Sequence, residues 1–180
     1  MTIREYFVWY IFNVPIWGYL LCAVSTILVM LLILWWKGGN KGCRYSLGLL
    51  LAEYMIFLIY LTTLIRPAGI HELKLIPFWS YKAIMNGTTV LIQEHLMNVA
   101  VFFPIGFLAS VIFKGLKWWM IVLIGTVLSI MIELMQYFLS RGFCETDDVI
   151  HNTLGCLIGV VLLKGIMSHR CHGKSQNTYL

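Results

Sequence analysis

The stretch WWMIVLIGTVLSIMIELMQYFL, residues 118–139, decides the fold. It is almost unbrokenly apolar and carries one formal charge, Glu133. An α-helix rises about 1.5 Å per residue, so about 20 such residues cross a hydrocarbon core about 30 Å thick. The tryptophan pair that opens the stretch suits a membrane–water interface. Outward from it, comparable runs recur at about Ile16 to Trp36, Ser46 to Ile65, His95 to Phe113 and Val149 to Ile166. The expected fold is therefore all-α, a polytopic transmembrane bundle of about five helices.

Composition agrees. Of 180 residues, 60% are apolar and only 12% charged, and mean hydropathy is +0.84. A soluble domain needs roughly twice that charge fraction to cover its surface. The net charge of +5 lies in short clusters beside apolar runs, which is a topology signal rather than a nucleic-acid surface. Cys22, Cys43, Cys144, Cys156 and Cys171 form no CxxC pair and no even framework. Neither a metal site nor a disulfide scaffold is indicated, and no cofactor is expected.

Breakers set the boundaries. Lys37-Gly38-Gly39 stops the first span, and Arg66-Pro67 ends the second, because proline disfavours helix in the residue before it. Residues Ala68 to Glu94 are too polar to span, and their Leu75-Ile76-Pro77-Phe78-Trp79 lies in the interface or re-enters partway. Pro104-Ile105-Gly106 predicts a kink in the next helix. Lys37, Lys41 and Arg44, then Lys114 and Lys117, then Lys164, Arg170 and Lys174 fall on one side, which the positive-inside rule assigns to the cytoplasm. The N-terminus is then outside and the C-terminus inside. The expected layout is an outer segment 1–15, a transmembrane domain 16–167 and a disordered cytoplasmic tail 168–180.

Charges within a membrane cost at least a few kcal/mol each, so their placement carries information. Arg66 ends the second span on the outer side, one turn after Thr62. Glu94, His95 and Asn98 open the third on that side. Ser129, Glu133, Gln136 and Tyr137 share a helix face by their i+3 and i+4 spacing. Arg141 lies in the following loop, and Asp147, Asp148 and Asn152 open the last helix, with Asp148 and Asn152 one turn apart. The inner halves carry almost nothing polar, so the pattern describes an outward polar cavity. Gly155-x-x-x-Gly159 lets helices approach closely and leaves a homodimer open. Plain structural roles compete at each position. Glu133 could be tied to Arg66 or Gln136 to fix packing. Asp147 and Asp148 read as a solvated loop and helix cap, Asn98 and Asn152 as interhelical hydrogen-bond glue, and His95 as interfacial.

Residues Asn98-Val99-Ala100-Val101-Phe102-Phe103-Pro104-Ile105-Gly106 resemble the N-x-x-x-F-x-P-x-G helix of VanZ-like membrane proteins. Ser129 to Gln136 looks like their S-x-x-x-E-x-x-Q helix. Arg141, Asp147-Asp148-Val149-Ile150, Asn152-Thr153-Leu154-Gly155 and Gly159 fit the segment that follows. Upstream, Arg66-Pro67 and Leu75-Ile76-Pro77-Phe78 resemble a weaker motif. The similarity runs from about Leu75 to Leu163. The family pattern often places an Asp soon after the Arg, where this chain has Gly142-Phe143-Cys144-Glu145. Either Glu145 replaces that acid or the position is dispensable.

The resemblance implies a multi-pass bacterial cell-membrane protein of the kind associated with low-level resistance to teicoplanin, a lipidated glycopeptide. Two classes of function follow. In the first, the protein binds or excludes a membrane lipid, a lipid-linked cell-wall precursor or a lipoglycopeptide. Arg66, Asn98, Glu133, Gln136, Arg141, Asp148 and Asn152 then form the ligand site, while Gly106, Gly155 and Gly159 pack the helices. In the second, it is an enzyme on a lipid-linked envelope substrate, with Glu133, Asp148 and His95 as catalytic candidates. The sequence leans away from an enzyme, since no motif supplies an activated nucleophile or a complete metal set.

Overall fold

The computed structural model describes Thr26, residues 39–64 and residues 69–176 of the chain. The expected outer segment 1–15, nearly all of the first span from Ile16 to Trp36, and Arg66 lie outside the described residues. The described elements are α1 (Gly39–Ile59), a π-helical turn (Tyr60–Leu64), β1 (Ile70–Lys74), α2 (Trp79–Met85), α3 (Val90–Ile112), α4 (Trp118–Phe138), β2 (Arg141–Glu145) and α5 (Thr146–Gln176). Four helical stretches are long and apolar enough to cross a membrane: Gly42–Thr63, Val90–Ile112, Trp118–Phe138 and Thr146–Ile166. The fifth described helix is the seven-residue α2.

Helix starts differ from the sequence expectation for identifiable reasons. α1 begins before Ser46 and takes in Arg44, whose guanidinium donates to the carbonyl of Ile112 at the end of α3, at 2.9 Å through Nε. The basic residue thus satisfies an orphan helix carbonyl instead of lying in a loop. α3 begins at Val90 and runs through Pro104 without a break. Proline leaves the Ala100 carbonyl without its helix donor. One residue along, the Tyr54 hydroxyl donates to the Val101 carbonyl at 2.7 Å and ties α1 to α3. α5 begins at Thr146 and its backbone stays helical to Gln176, into the stretch expected to be a disordered tail. No proline interrupts that stretch.

The sequence predicted no strand, yet β1 and β2 pair in parallel, with Ile70 opposite Arg141 and Lys74 opposite Glu145. Parallel strands need a crossover connection. Here the crossover is α2, α3 and α4, so the chain traverses two long apolar helices before the ladder closes. The Gly69 N–H extends the ladder by donating to the Ser140 carbonyl at 2.8 Å.

The bundle centres on α3 and α5. A Cβ on Gly106 would collide with the Cys156 backbone, one on Gly155 with the Val99 carbonyl, and one on Gly159 with the Phe103 carbonyl. The Gly155–Gly159 face therefore packs on α3 of the same chain. Cys156 is fully buried, and Gly125 of α4 approaches its sulfur, so α4 joins at the same level. Phe102, Ile105, Ile132 and Val160 fill the surrounding core. Leu123, Ile124, Val127 and Met131 of α4 and Val161 and Leu162 of α5 are exposed. An apolar exterior of this kind is what a hydrocarbon solvent requires.

Candidate functional site

The polar residues gather where the β1–β2 ladder closes one end of the bundle. Glu133 is buried on α4, and its Oε2 accepts the Glu145 backbone N–H at 3.0 Å. A β2 amide thus holds one oxygen of the acid for which the sequence had offered Arg66 or Gln136. Gln136, also buried, donates through Nε2 to the Thr62 carbonyl at 3.2 Å. Thr62 lies in the π-helical turn, where i→i+5 registration disturbs the usual pairing. On the same turn the Thr63 hydroxyl bonds back to the Ile59 carbonyl.

Asn152 donates through Nδ2 to the Ser129 hydroxyl at 2.8 Å, a buried bridge between α5 and α4. The Thr126 and Thr153 hydroxyls repeat the bridge nearby at 3.0 Å. Asp148 is buried in the first turn of α5, and Arg141 begins β2 opposite Ile70. Asn98 on α3 differs from these: its Nδ2 is buried with no acceptor.

A second group forms beside this layer. Asp147, only 1% exposed, accepts the Phe78 N–H at 2.5 Å, the Ser80 N–H at 3.0 Å and the Ser80 hydroxyl. It is a buried anchor for the start of α2, not a solvated loop residue. The anchor holds Phe78 at φ 63°, a left-handed conformation uncommon for an aromatic residue. One turn on, His151 Nδ1 donates to the Asp147 carbonyl at 2.6 Å. A neutral His151 then offers Nε2 as acceptor to the Tyr81 hydroxyl, 2.9 Å away. The His95 ring stacks on His151 with centroids 3.9 Å apart. His95 is therefore a buried member of an aromatic stack.

Lys74, at the end of β1, lies 3.6 Å from Glu145 and covers the rings of Trp79 (3.9 Å) and Phe143 (3.6 Å). Glu145 thus serves the ladder's end, pairing with Lys74 while its amide binds Glu133. Between Phe143 and Glu145, burial pushes the Cys144 thiol pKa up, and the nearby Glu133 and Glu145 carboxyls add to that rise. Among the described residues, no group of three or more His, Cys, Asp or Glu is placed to hold a metal ion.

The structure brings Glu133, Gln136, Asp148 and Asn152 into one buried region, with Ser129, Thr62 and Glu145 as partners. The sequence reading passed over Ser80, Tyr81, His151 and Lys74. For His151 a signal was present, since it lies four residues after Asp147 and so on the same helix face.

Long lipid-facing helices closed at one end by a buried polar layer define a polytopic helical membrane protein with a candidate site at that end. The chain belongs to the VanZ/LLP1 family, whose profile matches residues 51–168. That range runs from the middle of α1 into α5 and includes the whole polar layer. The chain is similar to Protein VanZ of Enterococcus faecium, with 31% identity over 121 residues that cover 63% of this chain and 70% of that protein. No solved structure matches it.

Proposed function

We propose that this multi-pass protein of the bacterial cell membrane contributes to low-level resistance to teicoplanin-type lipoglycopeptides, by binding or excluding a lipidated ligand at its outward polar end. The observation that carries the proposal is the Asn98 amide. Its neighbours in the candidate set hold hydrogen bonds that lock helices together: Asn152 to Ser129, Gln136 to Thr62 and Glu133 to the β2 backbone. Asn98 Nδ2 is a buried donor without an acceptor. Such a group costs about 1–3 kcal/mol, which a ligand oxygen from a sugar, amide or phosphate recovers. Family membership and the likeness to Protein VanZ support the resistance role. A membrane lipid or a lipid-linked cell-wall precursor presents the same oxygen chemistry.

The test is susceptibility of a Gram-positive host expressing wild type, Asn98→Ala, Glu133→Gln or Asn152→Ala at matched membrane levels. Wild type should protect against teicoplanin and far less against vancomycin, which lacks the acyl tail. Asn98→Ala should return teicoplanin susceptibility to the empty-vector value. Absence of protection by wild type, or full protection by Asn98→Ala, rejects the proposal.

One observation favours a second function, an enzyme on a lipid-linked envelope substrate. Glu133 and Asp148 are both buried at the polar end, where low polarity sharpens acid–base chemistry. Purified protein incubated with lipid-linked precursor would then release a product that Glu133→Gln does not form.

A further inference from the structure

The opposite end of the bundle holds a cleft of about 250 Å³ between the end of α3, the start of α4 and the middle of α5. Its walls are apolar, with Leu116, Ile121, Val160 and Leu163 along them. Two exposed lysines, Lys114 and Lys164, line the same cleft, and Lys164 Nζ lies 5.8 Å from the Trp118 ring. We propose that this cleft binds an anionic phospholipid, its phosphate between Lys114 and Lys164 and its first acyl carbons along the apolar wall.

Three features carry the proposal. First, among the described residues no ion pair engages Lys114 or Lys164. No Asp or Glu occurs between residues 95 and 132 or beyond residue 148, so the acids of α3, α4 and α5 all lie toward the ladder end and none stands in the stretches that line the cleft. Second, the helix ends around it add to the positive potential. α4 starts beside Lys117 without a side-chain cap, so its positive dipole end is not neutralised by its own cap residue. The carbonyl end of α3, which would oppose an anion, is already covered by Arg44 at Ile112. Third, the apolar wall continues into the lipid-facing surface through exposed Phe113, Val161 and Leu162, so an acyl chain need not leave the bilayer to enter it. Basic pockets between membrane helices commonly select anionic headgroups in this way. The volume is below that of a drug-sized ligand site, which fits a headgroup and the start of a chain and excludes a glycopeptide.

Purified protein in detergent would be titrated with dioctanoyl-phosphatidylglycerol, dioctanoyl-phosphatidylcholine or inorganic phosphate, and followed by native mass spectrometry and thermal unfolding. Phosphatidylglycerol should bind and raise the unfolding temperature, while phosphatidylcholine and inorganic phosphate should not. Lys114→Gln and Lys164→Gln should each weaken binding about fivefold, and together about 25-fold. Lys82→Gln, on α2 at the other end, should leave binding unchanged. Leu163→Trp, which fills the cleft but keeps both lysines, should abolish it, and this variant decides the matter if the lysine pair proves necessary for folding. Equal binding of phosphatidylcholine, undiminished binding by the double variant, or the same stabilisation by phosphate alone would each overturn the assignment.

Discussion

Cys144 shows how a single residue's surroundings change what it can report. It is buried in β2, and desolvation together with Glu133 and Glu145 holds its thiol protonated above the ordinary range. The thiolate is the reactive form, so a raised pKa means slow alkylation at neutral pH and faster alkylation as pH climbs past the usual thiol range. In permeabilised membranes, a maleimide should label exposed Cys43 well before Cys144, and the gap should close in denaturant. Rapid labelling of both at pH 7 would show that Cys144 is not enclosed as described. The consequence for topology is direct: slow labelling of Cys144 says nothing about which side of the membrane it occupies. At this scale the sequence was partly legible. The one-turn spacing of Asp148 and Asn152 was read, but the equal spacing of Asp147 and His151 was not. The difference is that Asp147 has its partners at Phe78 and Ser80, far away in sequence.

Among the elements, α2 depends most on a single side chain. Seven residues of helix are too few to be stable alone, and Asp147 binds its start through two backbone amides and one hydroxyl. The Thr146 hydroxyl adds a bond to the Leu75 carbonyl at 3.1 Å. Asp147→Ala leaves two amides unpaired, at about 1–3 kcal/mol each. Hydrogen exchange should therefore accelerate across residues 78–85 while α4 keeps its protection. Unchanged exchange in α2 would show that Asp147 is not its anchor. The long helices were legible because their apolar runs need no partner to declare them, and α4 matches its expected bounds to within a residue. The strands IHELK and RGFCE were not, since neither alternates cleanly and each exists only through the other.

Across the whole molecule, the two ends differ in charge chemistry. The buried acids, amides and histidines lie at the ladder end, while Lys114, Lys117 and Lys164 stand at the other, where no described residue supplies a carboxylate. The proposed orientation, with the basic end in the cytoplasm, predicts that an impermeant thiol reagent on intact cells labels Lys82→Cys and spares Lys117→Cys, each in a cysteine-free background. The reverse pattern would invert the protein in the membrane and with it the outward placement of the polar layer.

The pairing of Ile70 with Arg141 also governs the order in which the protein can be made. When β1 leaves the ribosome, its partner strand has yet to be synthesised, and α3 and α4 must both be delivered into the bilayer before β2 arrives beside it. Joining positions so distant along the chain is slow and entropically costly. The ladder therefore closes late in assembly, and Glu133, Lys74 and Asp147 find these partners only once β2 and the start of α5 have been made. An interrupted chain could carry three of the long helices and still lack a polar end, so whatever recognises that end recognises a finished protein.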